Sequence, residues 1–363
     1  MTVTYAEKLS RMPGYKAGVP TGQAPEAIAA GRIAQLASNE SARPPHPKVV
    51  EAIARAAASM NRYPDPDATL LRRRLADRFD TEPGKIATGN GSCDLLLAAA
   101  SALCEPGDEI LYAWPSFSMY PYLPALTGAR EIRVPLGEGD ALDLDAMAAE
   151  ATAATQLLVV CNPNNPTATH HPAAAIGAFL EQVPAHVTVI LDEAYIEFQT
   201  NDDPGASLDL LKDFPNLVVL RTFSKCYGLA GLRVGYAIGS SNFRAAVDAV
   251  RQPFSVAALA QAAGAEAILH QDDVLARVES TVAERIRVQE GVQGLGLWAS
   301  ESQANFSWID LGDSDEAAVI AGLAERDIAV RPGAALGGPG HIRVSYGTEA
   351  EDVRFLDALR ELC

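Results

Sequence analysis

The sequence predicts an α/β protein with a large first domain and a smaller α+β domain after it. Through the first 255 residues, short apolar runs that indicate buried strands alternate with stretches of helical spacing. Beyond them the pattern turns helical, and short strand-like segments then alternate with helices. We therefore divide the chain into an N-terminal arm at 1–45, a large domain at 46–255 and a small domain at 256–363.

The periodicity of apolar residues predicts a specific set of elements. Buried strands of the large domain are expected at 109–113, 156–161, 187–191 and 217–220. Helices are expected at 47–60, 95–104, 257–268 and 274–292. The small domain should add strands at 304–310, 329–331 and 341–344, and helices at 315–326 and 349–362. The arm is rich in Pro and Gly and weakly periodic, so we expect it to pack on other parts of the protein and to contribute to the small domain and to a dimer.

The charge of the chain restricts its partners. Lys and Arg number 29 against 46 Asp and Glu, which gives a net charge of -17. A surface this acidic repels a phosphate backbone, so nucleic acid is not an expected partner. An anionic small molecule must then be bound by a local group of cations. With 363 residues and 48% hydrophobic content, the chain can bury a large core.

Cysteine and histidine spacing argues against disulfides and metals. The five cysteines are odd in number and lack CxxC spacing, which disfavours a disulfide framework and a zinc site. The six histidines lack HxxxH spacing, so no metal is expected. Residues 1–18 hold no signal-peptide apolar region, and no apolar run approaches 18 residues. We expect a cytoplasmic protein without membrane contact.

One lysine organises the chain. Lys225 follows the strand at 217–220, so it should lie at a strand's carboxyl end, where ligand crevices open in α/β sheets. A lysine held against packed chain loses solvation, which disfavours its charged form and leaves an amine able to form a Schiff base. Thr222, Ser224 and Arg233 lie within eight residues of it. Two hydroxyls and a guanidinium can bind a phosphate dianion.

Other strand ends carry further candidates. Gly91, Ser92 and Cys93 form a glycine-rich turn before the helix at 95–104, and free N–H groups at a helix start bind anions. Phe117 follows the strand at 109–113 and can stack on a flat ring, with core packing as the alternative. Asp192 ends the strand at 187–191; taken alone, it is explained equally well as a helix cap.

The segment around the lysine carries a family resemblance. Residues 224–235 read Ser-Lys-x-x-Gly-Leu-x-Gly-x-Arg-x-Gly, a pattern that resembles the cofactor-lysine segment of the fold-type I, pyridoxal-phosphate-dependent aminotransferases. The resemblance covers nearly the whole chain. It implies a large pyridoxal-phosphate-binding domain with a mostly parallel, seven-stranded sheet, a small domain and assembly as a homodimer. It also implies that Lys225 forms the Schiff base with pyridoxal phosphate and then acts as general base and acid.

The resemblance also assigns roles to the strand-end residues. The phosphate of the cofactor is held by Gly91, Ser92, Cys93, Thr222, Ser224 and Arg233. Phe117 stacks on the ring, Asp192 pairs with its nitrogen, and Asn165 and Tyr195 donate to its 3-oxygen. Lys225, Asp192 and Tyr195 are therefore the expected catalytic residues. Family members commonly carry Gly after the Asn-Pro-Thr turn, whereas this chain has Ala168.

Four more residues extend the site towards the substrate and a second subunit. Arg343 matches the arginine that binds the substrate α-carboxylate, with a surface salt bridge as the alternative. Arg331 is a second cation expected at the same cleft, and Asn39 matches an asparagine near the substrate or is a polar turn residue. Tyr63 matches a tyrosine that reaches the cofactor phosphate of the neighbouring subunit, or is part of a plain turn.

Two groups within the family compete for the substrate. Histidinol-phosphate aminotransferases usually read Gly-Ser-Asp-Glu at the phosphate turn and Pro-Thr-Tyr at the stacking aromatic. Here residues 91–94 are Gly-Ser-Cys-Asp and residues 114–117 are Trp-Pro-Ser-Phe. The Trp-x-Ser-Phe-x-x-Tyr-Pro pattern at 114–121 and the segment 302–308 look more like the aromatic amino acid aminotransferases. We expect the aromatic side chains of 114–120 and 302–308 near the substrate. The predicted reaction moves the amino group of phenylalanine or tyrosine to 2-oxoglutarate. Histidinol phosphate is the alternative donor, for which Arg331 and Lys16 are candidate cations.

Two other classes of function compete with a transaminase. A non-catalytic regulator on this fold carries an added DNA-binding domain, for which an acidic chain of 363 residues has no room. A lyase or decarboxylase on the same scaffold stays possible from the sequence. A requirement for an oxo-acid acceptor would separate a transaminase from a lyase or decarboxylase.

Overall fold

The structure is a computed structural model that describes residues 4–14 and 31–363. The rest of the arm, including Lys16, lies outside the described residues. The strands, in chain order, are β1 (Ala34–Gln35), β2 (Ile86–Gly89), β3 (Glu109–Trp114), β4 (Arg130–Pro135), β5 (Thr155–Cys161), β6 (Thr188–Asp192), β7 (Leu217–Thr222), β8 (Gly235–Ile238), β9 (Trp298–Ala299), β10 (Phe306–Asp310), β11 (Ile328–Ala329), β12 (Arg331–Pro332) and β13 (His341–Ser345).

The α-helices lie between these strands. In chain order they are α1 (Pro47–Ala57), α2 (Thr69–Arg78), α3 (Ser92–Leu103), α4 (Tyr122–Thr127), α5 (Leu144–Ala149), α6 (Ala173–Gln182), α7 (Ala206–Asp209), α8 (Ser241–Val250), α9 (Ala258–Ala267), α10 (Gln271–Gly294), α11 (Glu316–Glu325) and α12 (Glu349–Leu362). Among the described residues, no helix is both long and apolar enough to span a bilayer.

The large domain is built on a seven-stranded sheet in the order β2-β8-β7-β6-β5-β3-β4. Strands β3 to β7 pair in parallel, and β8 runs antiparallel to both of its neighbours. Successive residues of the central strands are buried on opposite faces of the sheet. One face packs against α3 and α8, and the other against α5 and α6. The predicted α/β class with a mostly parallel large sheet is confirmed.

The four strands predicted in the large domain are β3, β5, β6 and β7, each within two residues of its expected limits. The prediction missed β2, β4 and β8. Strand β4 lies at the edge of the sheet and is largely exposed, so it carries charged residues instead of an apolar run. Strands β2 and β8 are only four residues long and each contains a glycine.

The small domain has a four-stranded antiparallel sheet in the order β12-β13-β10-β9. Its apolar face packs against α10, α11 and α12. Strand β1 of the arm pairs in parallel with β11, so this part of the arm lies in the small domain. The segment predicted as one strand at 329–331 is divided between β11 and β12.

Helix α9 packs with the large domain, although the sequence placed residues 256 onward in the small one. Its Ala260 and Ala263 share an apolar cluster with Leu71 of α2 and with Phe223 beside β7. A Cβ added at Gly264 would lie 3.2 Å from a Leu71 methyl group, so the two helices are in close contact. We therefore propose that the boundary between the domains lies near residue 270 and not at 255.

Candidate active site

The carboxyl ends of β5, β6 and β7 open onto a cavity of about 340 Å³. The start of α3 and the segment that follows β1 meet it from two sides. Most of the residues predicted from strand ends line this cavity: Ser92, Cys93, Phe117, Asn165, Asp192, Tyr195, Thr222, Ser224, Lys225 and Arg233. Ser38, Glu40 and Cys161 also line it and were not predicted. Residues far apart in the sequence are thus brought together by the parallel sheet.

Lys225 is half-buried at the wall of the cavity. Its Nζ donates a hydrogen bond to the carbonyl oxygen of Ser38 at 3.1 Å and lies 5.6 Å from the centroid of the Tyr195 ring. Burial lowers the pKa of Lys225 to about 8, and the guanidinium of Arg343 acts in the same direction. A share of the amine is therefore neutral, and thus nucleophilic, near neutral pH.

The phosphate-binding candidates converge at the start of α3. Gly91 precedes this helix with a φ of +83°, and a Cβ there would lie 2.5 Å from Nη2 of Arg233. A Cβ on Gly235 would lie 2.6 Å from the backbone nitrogen of Ser92, so glycine lets β8 approach the helix start. Thr222 is the register partner of Gly235, and its hydroxyl donates to Ser224 Oγ at 2.9 Å. Hydroxyls, helix N–H groups and a guanidinium therefore share one corner.

Asp192 is buried at the base of the cavity. Its Oδ2 accepts a hydrogen bond from the Tyr120 hydroxyl at 2.9 Å, while Oδ1 has no hydrogen-bond partner among the described residues. Burial raises the pKa of Asp192 to about 6, and the bond from Tyr120 opposes that rise. A buried carboxylate oxygen without a donor is costly, so this atom is suited to a cationic N–H group of a ligand. Asp192 is not a helix cap.

Asn165 and Tyr195 both line the cavity, and in each side chain an oxygen already accepts a hydrogen bond. Asn165 Oδ1 accepts from Arg343 Nη1 at 2.5 Å, which leaves its NH₂ group as a donor. Tyr195 Oη accepts from the side-chain amide of Asn39 at 3.0 Å. Burial raises the pKa of Tyr195, so the phenol keeps its proton. Two donors are therefore available to one ligand oxygen.

Arg343 is buried in the centre of the small-domain sheet, which rules out the surface salt bridge that the sequence left open. Besides Asn165, it donates to the carbonyl oxygen of Ala37 at 2.8 Å, and its guanidinium lies 5.3 Å from the Phe306 ring centroid. Arg331 is its register partner on β12 and is buried too. Neither arginine lines the cavity itself.

Two further predicted residues do not line the cavity within one protomer. Tyr63 is 83% exposed and stacks on Phe254 with ring centroids 4.7 Å apart. Asn39 is buried with a φ of +53°, and its side chain bonds Tyr195 and Ser345. The predicted contact of Tyr63 with a neighbouring subunit and that of Asn39 with a substrate stay predictions.

The aromatic residues of 114–120 and 302–308 were expected near the substrate, but neither tryptophan among them lines the cavity. Trp308 is buried in β10, stacks on His341 and donates its indole N–H to Asp140 at 3.0 Å. Trp114 packs under the guanidinium of Arg133, 4.6 Å from the ring centroid. Of these segments, Phe117 alone lines the cavity. Alternating side chains of a strand point to opposite faces, and aromatic content alone does not reveal which face meets the ligand.

Tyr120 was expected only among the aromatic residues near the substrate, and the sequence analysis missed its contact with Asp192. It is fully buried beneath the cavity, where its ring packs edge-on against Phe117 at 5.7 Å between centroids. The signal was its place three residues after Phe117, in the turn that follows β3.

Ala168, which stands where family members commonly carry glycine, has a φ of +61°, a conformation that favours glycine.

Comparisons with known proteins give a consistent result. The family model described as aminotransferase class I and II matches residues 32–359. An aromatic amino acid aminotransferase of Streptomyces coelicolor is 43% identical over 348 residues, covering 95% of this chain and 94% of its own length. A protein of the same name from Thermobifida fusca is 46% identical over 333 residues, with 91% and 90% covered. The crystal structure of histidinol-phosphate aminotransferase from Sinorhizobium meliloti in complex with pyridoxal-5'-phosphate has a TM-score of 0.87 at 28% identity, covering 100% of this chain and 98% of that one.

Proposed function

Because the chain belongs to the class I and II aminotransferases, we propose that it moves the amino group of an aromatic amino acid to 2-oxoglutarate with bound pyridoxal phosphate. The observation that carries the proposal is the pairing, in one cavity, of a lysine of lowered pKa with a buried carboxylate whose Oδ1 lacks a donor. Such a pair suits a cofactor that condenses with an amine at one side and is cationic at the other. The family is dependent on pyridoxal phosphate.

The residues around the cavity fit this cofactor. The phosphate would be held where Ser92, Thr222, Ser224 and Arg233 meet the free N–H groups of α3. Phe117 would contact the ring face, and Asp192 Oδ1 would receive the N–H of the ring nitrogen. The NH₂ of Asn165 and the hydroxyl of Tyr195 would donate to the ring oxygen. When bound, the cofactor supplies an aldehyde that condenses with amines and a ring that draws electrons from the substrate α-carbon.

The chain's own groups then perform the proton transfers. Lys225 takes the proton from the substrate α-carbon and returns one, a task suited to an amine whose pKa is about 8. Asp192 keeps the ring nitrogen protonated because it is anionic and its other oxygen is fixed by Tyr120. Arg343 binds the substrate carboxylate, for which its planar fork is suited.

The aromatic donor is supported by the names of the relatives that are 43% and 46% identical. A phenyl ring placed near Phe117 gains roughly 25 cal/mol per Å² of apolar surface buried. Histidinol phosphate is the second candidate, supported by the S. meliloti structure at 28% identity. The phosphate of histidinol phosphate requires paired cations to offset its desolvation. Arg331, the register partner of Arg343 on the adjacent strand, is a candidate for one of them.

We also propose a homodimer in which Tyr63 of one subunit contacts the cofactor phosphate of the other. The apolar side chains of Met60 and Tyr63 are 68% and 83% exposed, and Phe254, stacked on Tyr63, is 41% exposed. An exposed apolar group of this kind is typical of a protein interface.

The donor is tested by measuring kcat/KM for phenylalanine, tyrosine and histidinol phosphate, each with 2-oxoglutarate. We expect an aromatic amino acid to exceed histidinol phosphate by tenfold or more, which corresponds to about 1.4 kcal/mol in transition-state binding. A tenfold preference in the other direction would select histidinol phosphate. Turnover without any oxo-acid acceptor would instead indicate a lyase or decarboxylase.

A further inference from the structure

A buried chain of hydrogen bonds joins the arm, the small domain and Tyr195. Asn39 of the arm and Ser345 at the end of β13 are each 1% exposed. The backbone N–H of Asn39 donates to Ser345 Oγ at 2.7 Å, and Ser345 Oγ lies 3.0 Å from Asn39 Oδ1. The side-chain nitrogen of Asn39 lies 3.0 Å from Tyr195 Oη. Three groups from distant parts of the sequence thus meet away from water.

The direction of each bond in this chain follows from the number of hydrogens. Ser345 Oγ accepts the peptide N–H of Asn39, so its single hydrogen is available for Asn39 Oδ1. The amide oxygen then faces Ser345, and the NH₂ group faces Tyr195. Because Tyr195 Oη accepts that N–H, its own hydrogen must point elsewhere. Tyr195 lines the cavity, and none of the described residues accepts the hydroxyl hydrogen.

We propose that Asn39 and Ser345 are positioning residues that orient the Tyr195 hydroxyl so that it donates its hydrogen bond into the cavity. The proposal rests on the proposed function, in which the acceptor is the ring oxygen of bound pyridoxal phosphate. Asn39 is well suited to this role because it adopts a φ of +53°, which asparagine tolerates better than most residues. Its carbonyl oxygen is held in turn by Asn305 Nδ2 at 3.2 Å.

The opposite amide orientation would have a different consequence. If Oδ1 of Asn39 faced Tyr195, the tyrosine hydroxyl would donate its hydrogen to Asn39 and could not donate to a ligand. The substitution Asn39→Asp distinguishes the two, since a carboxylate can only accept. Under our proposal, Asn39→Asp reverses the bond, so that Tyr195 donates to residue 39. Under the opposite amide orientation, Tyr195 already donates to residue 39, and the substitution leaves the direction of the bond unchanged.

The experiment uses the cofactor-loaded protein and follows its visible absorption as a function of pH. A donor to the ring oxygen stabilises the deprotonated form of the bound cofactor more than the protonated form, because in the protonated form a neighbouring cationic nitrogen already interacts with the oxygen's negative charge. Loss of that donor should therefore raise the pKa of this nitrogen, which is the pKa that the absorption of the bound cofactor reports. We expect Tyr195→Phe to raise it by about one pH unit, a tenfold change in the protonation equilibrium. Asn39→Asp should raise it by a similar amount, and Ser345→Ala by less.

Ser307→Ala is the matched control. Ser307 is a fully buried serine on the neighbouring strand β10, and its hydroxyl lies 2.9 Å from that of Tyr346, which does not line the cavity. Ser307→Ala should leave the pKa measured from the absorption of the bound cofactor unchanged. A shift in Ser307→Ala as large as that in Ser345→Ala would attribute the effect to general loosening of the sheet and would overturn the proposal.

The double variant Asn39→Asp with Tyr195→Phe separates orientation from charge. If Asn39 acts through Tyr195, the aspartate adds little once the hydroxyl is gone. If the new carboxylate acts directly on the cofactor, its effect persists in full and our proposal is wrong. A shift in Tyr195→Phe but none in Asn39→Asp also contradicts it. No shift in Tyr195→Phe, by contrast, would contradict the proposed cofactor contact of Tyr195 itself.

Discussion

The Tyr120 hydroxyl donates a hydrogen bond of 2.9 Å to Oδ2 of Asp192, and Oδ1 of that carboxylate bonds none of the described residues. The carboxylate is therefore held in one orientation with one oxygen left for a ligand. Because a hydrogen bond to a charged group contributes about 1.5–3 kcal/mol, Tyr120 should matter for turnover although it lies beneath the cavity.

Tyr120→Phe should lower kcat/KM at least about tenfold, since loss of the bond leaves Asp192 free to turn and easier to protonate. The matched control is Tyr112→Phe, because Tyr112 is equally buried, lies 5.5 Å from Tyr120 between ring centroids and bonds Glu131 instead. In the cofactor-free protein, Tyr120→Phe should also move the pH dependence of stability that arises from Asp192 to higher pH. Equal kinetic losses in both variants would show that Tyr120 serves packing alone.

Asp192→Asn should retain the cofactor through the phosphate site yet lose transamination, because a neutral amide cannot keep the ring nitrogen protonated. Absorption of the purified variant and its rate with phenylalanine measure the two effects separately. Rates close to those of the unmodified protein would show that another group performs this role.

The same substitution gives a stability test without cofactor. The folded-state pKa of Asp192, about 6, exceeds its ordinary value of 3.8, so the folded chain holds this proton more tightly. Its contribution to stability is therefore present below pH 4, falls as the pH rises to about 6 and stays low above that. Relative to the unmodified protein, Asp192→Asn should gain on the order of 3 kcal/mol of unfolding free energy between pH 4 and pH 7. Asp209→Asn, at an exposed carboxylate, should show no such gain.

The proposed exchange of Tyr63 between subunits is tested with mixed dimers. Lys225→Ala and Tyr63→Ala homodimers should each be impaired, the first in chemistry and the second in cofactor affinity. A mixed dimer should regain one intact site, formed by Lys225 of one subunit and the partner's unmodified tyrosine at 63. Unchanged affinity for the cofactor in Tyr63→Ala, or no recovery on mixing, would contradict the exchange.

The pKa of Lys225 predicts how cofactor uptake depends on pH. An amine reacts with an aldehyde only when unprotonated, so the initial rate of uptake by the cofactor-free protein should rise through pH 8 and then level off. Arg343→Gln should move the midpoint to higher pH, because the guanidinium of Arg343 lowers the pKa of Lys225. Arg360→Gln, at an exposed ion pair with Asp357, serves as the control. An unchanged midpoint in Arg343→Gln would show that burial alone lowers the pKa of Lys225.

Much of this site could be predicted from the sequence because its residues follow apolar strands. Asp192 and Thr222 are the last residues of β6 and β7, and a parallel sheet brings such ends together. Tyr120 and Asn39 were harder to assign. Their roles depend on where a side chain points after a turn, and on a contact of Asn39 with Ser345 across 306 residues of sequence. Local periodicity carries no information of that kind.

The fold shows the same division. The central strands were predictable from their apolar runs, whereas β4 was missed because an exposed edge strand needs no apolar face. Helix α9 was predicted correctly as a helix, but the sequence grouped it with the small domain, whereas it packs against α2 of the large domain. Its alanine-rich surface fits against Leu71 of α2, and nothing in its own sequence indicates which domain covers it.

The most direct test of the proposed chemistry is to identify the lysine that holds the cofactor. Borohydride reduction of the yellow, cofactor-loaded protein, followed by proteolysis and mass spectrometry, fixes the cofactor on the amine with which it has condensed. We predict a single modified lysine, Lys225, and no modification of exposed lysines such as Lys212, whose side chain is 77% exposed. Modification of a different lysine, or full turnover by Lys225→Ala, would contradict the assignment of Lys225 as the catalytic residue.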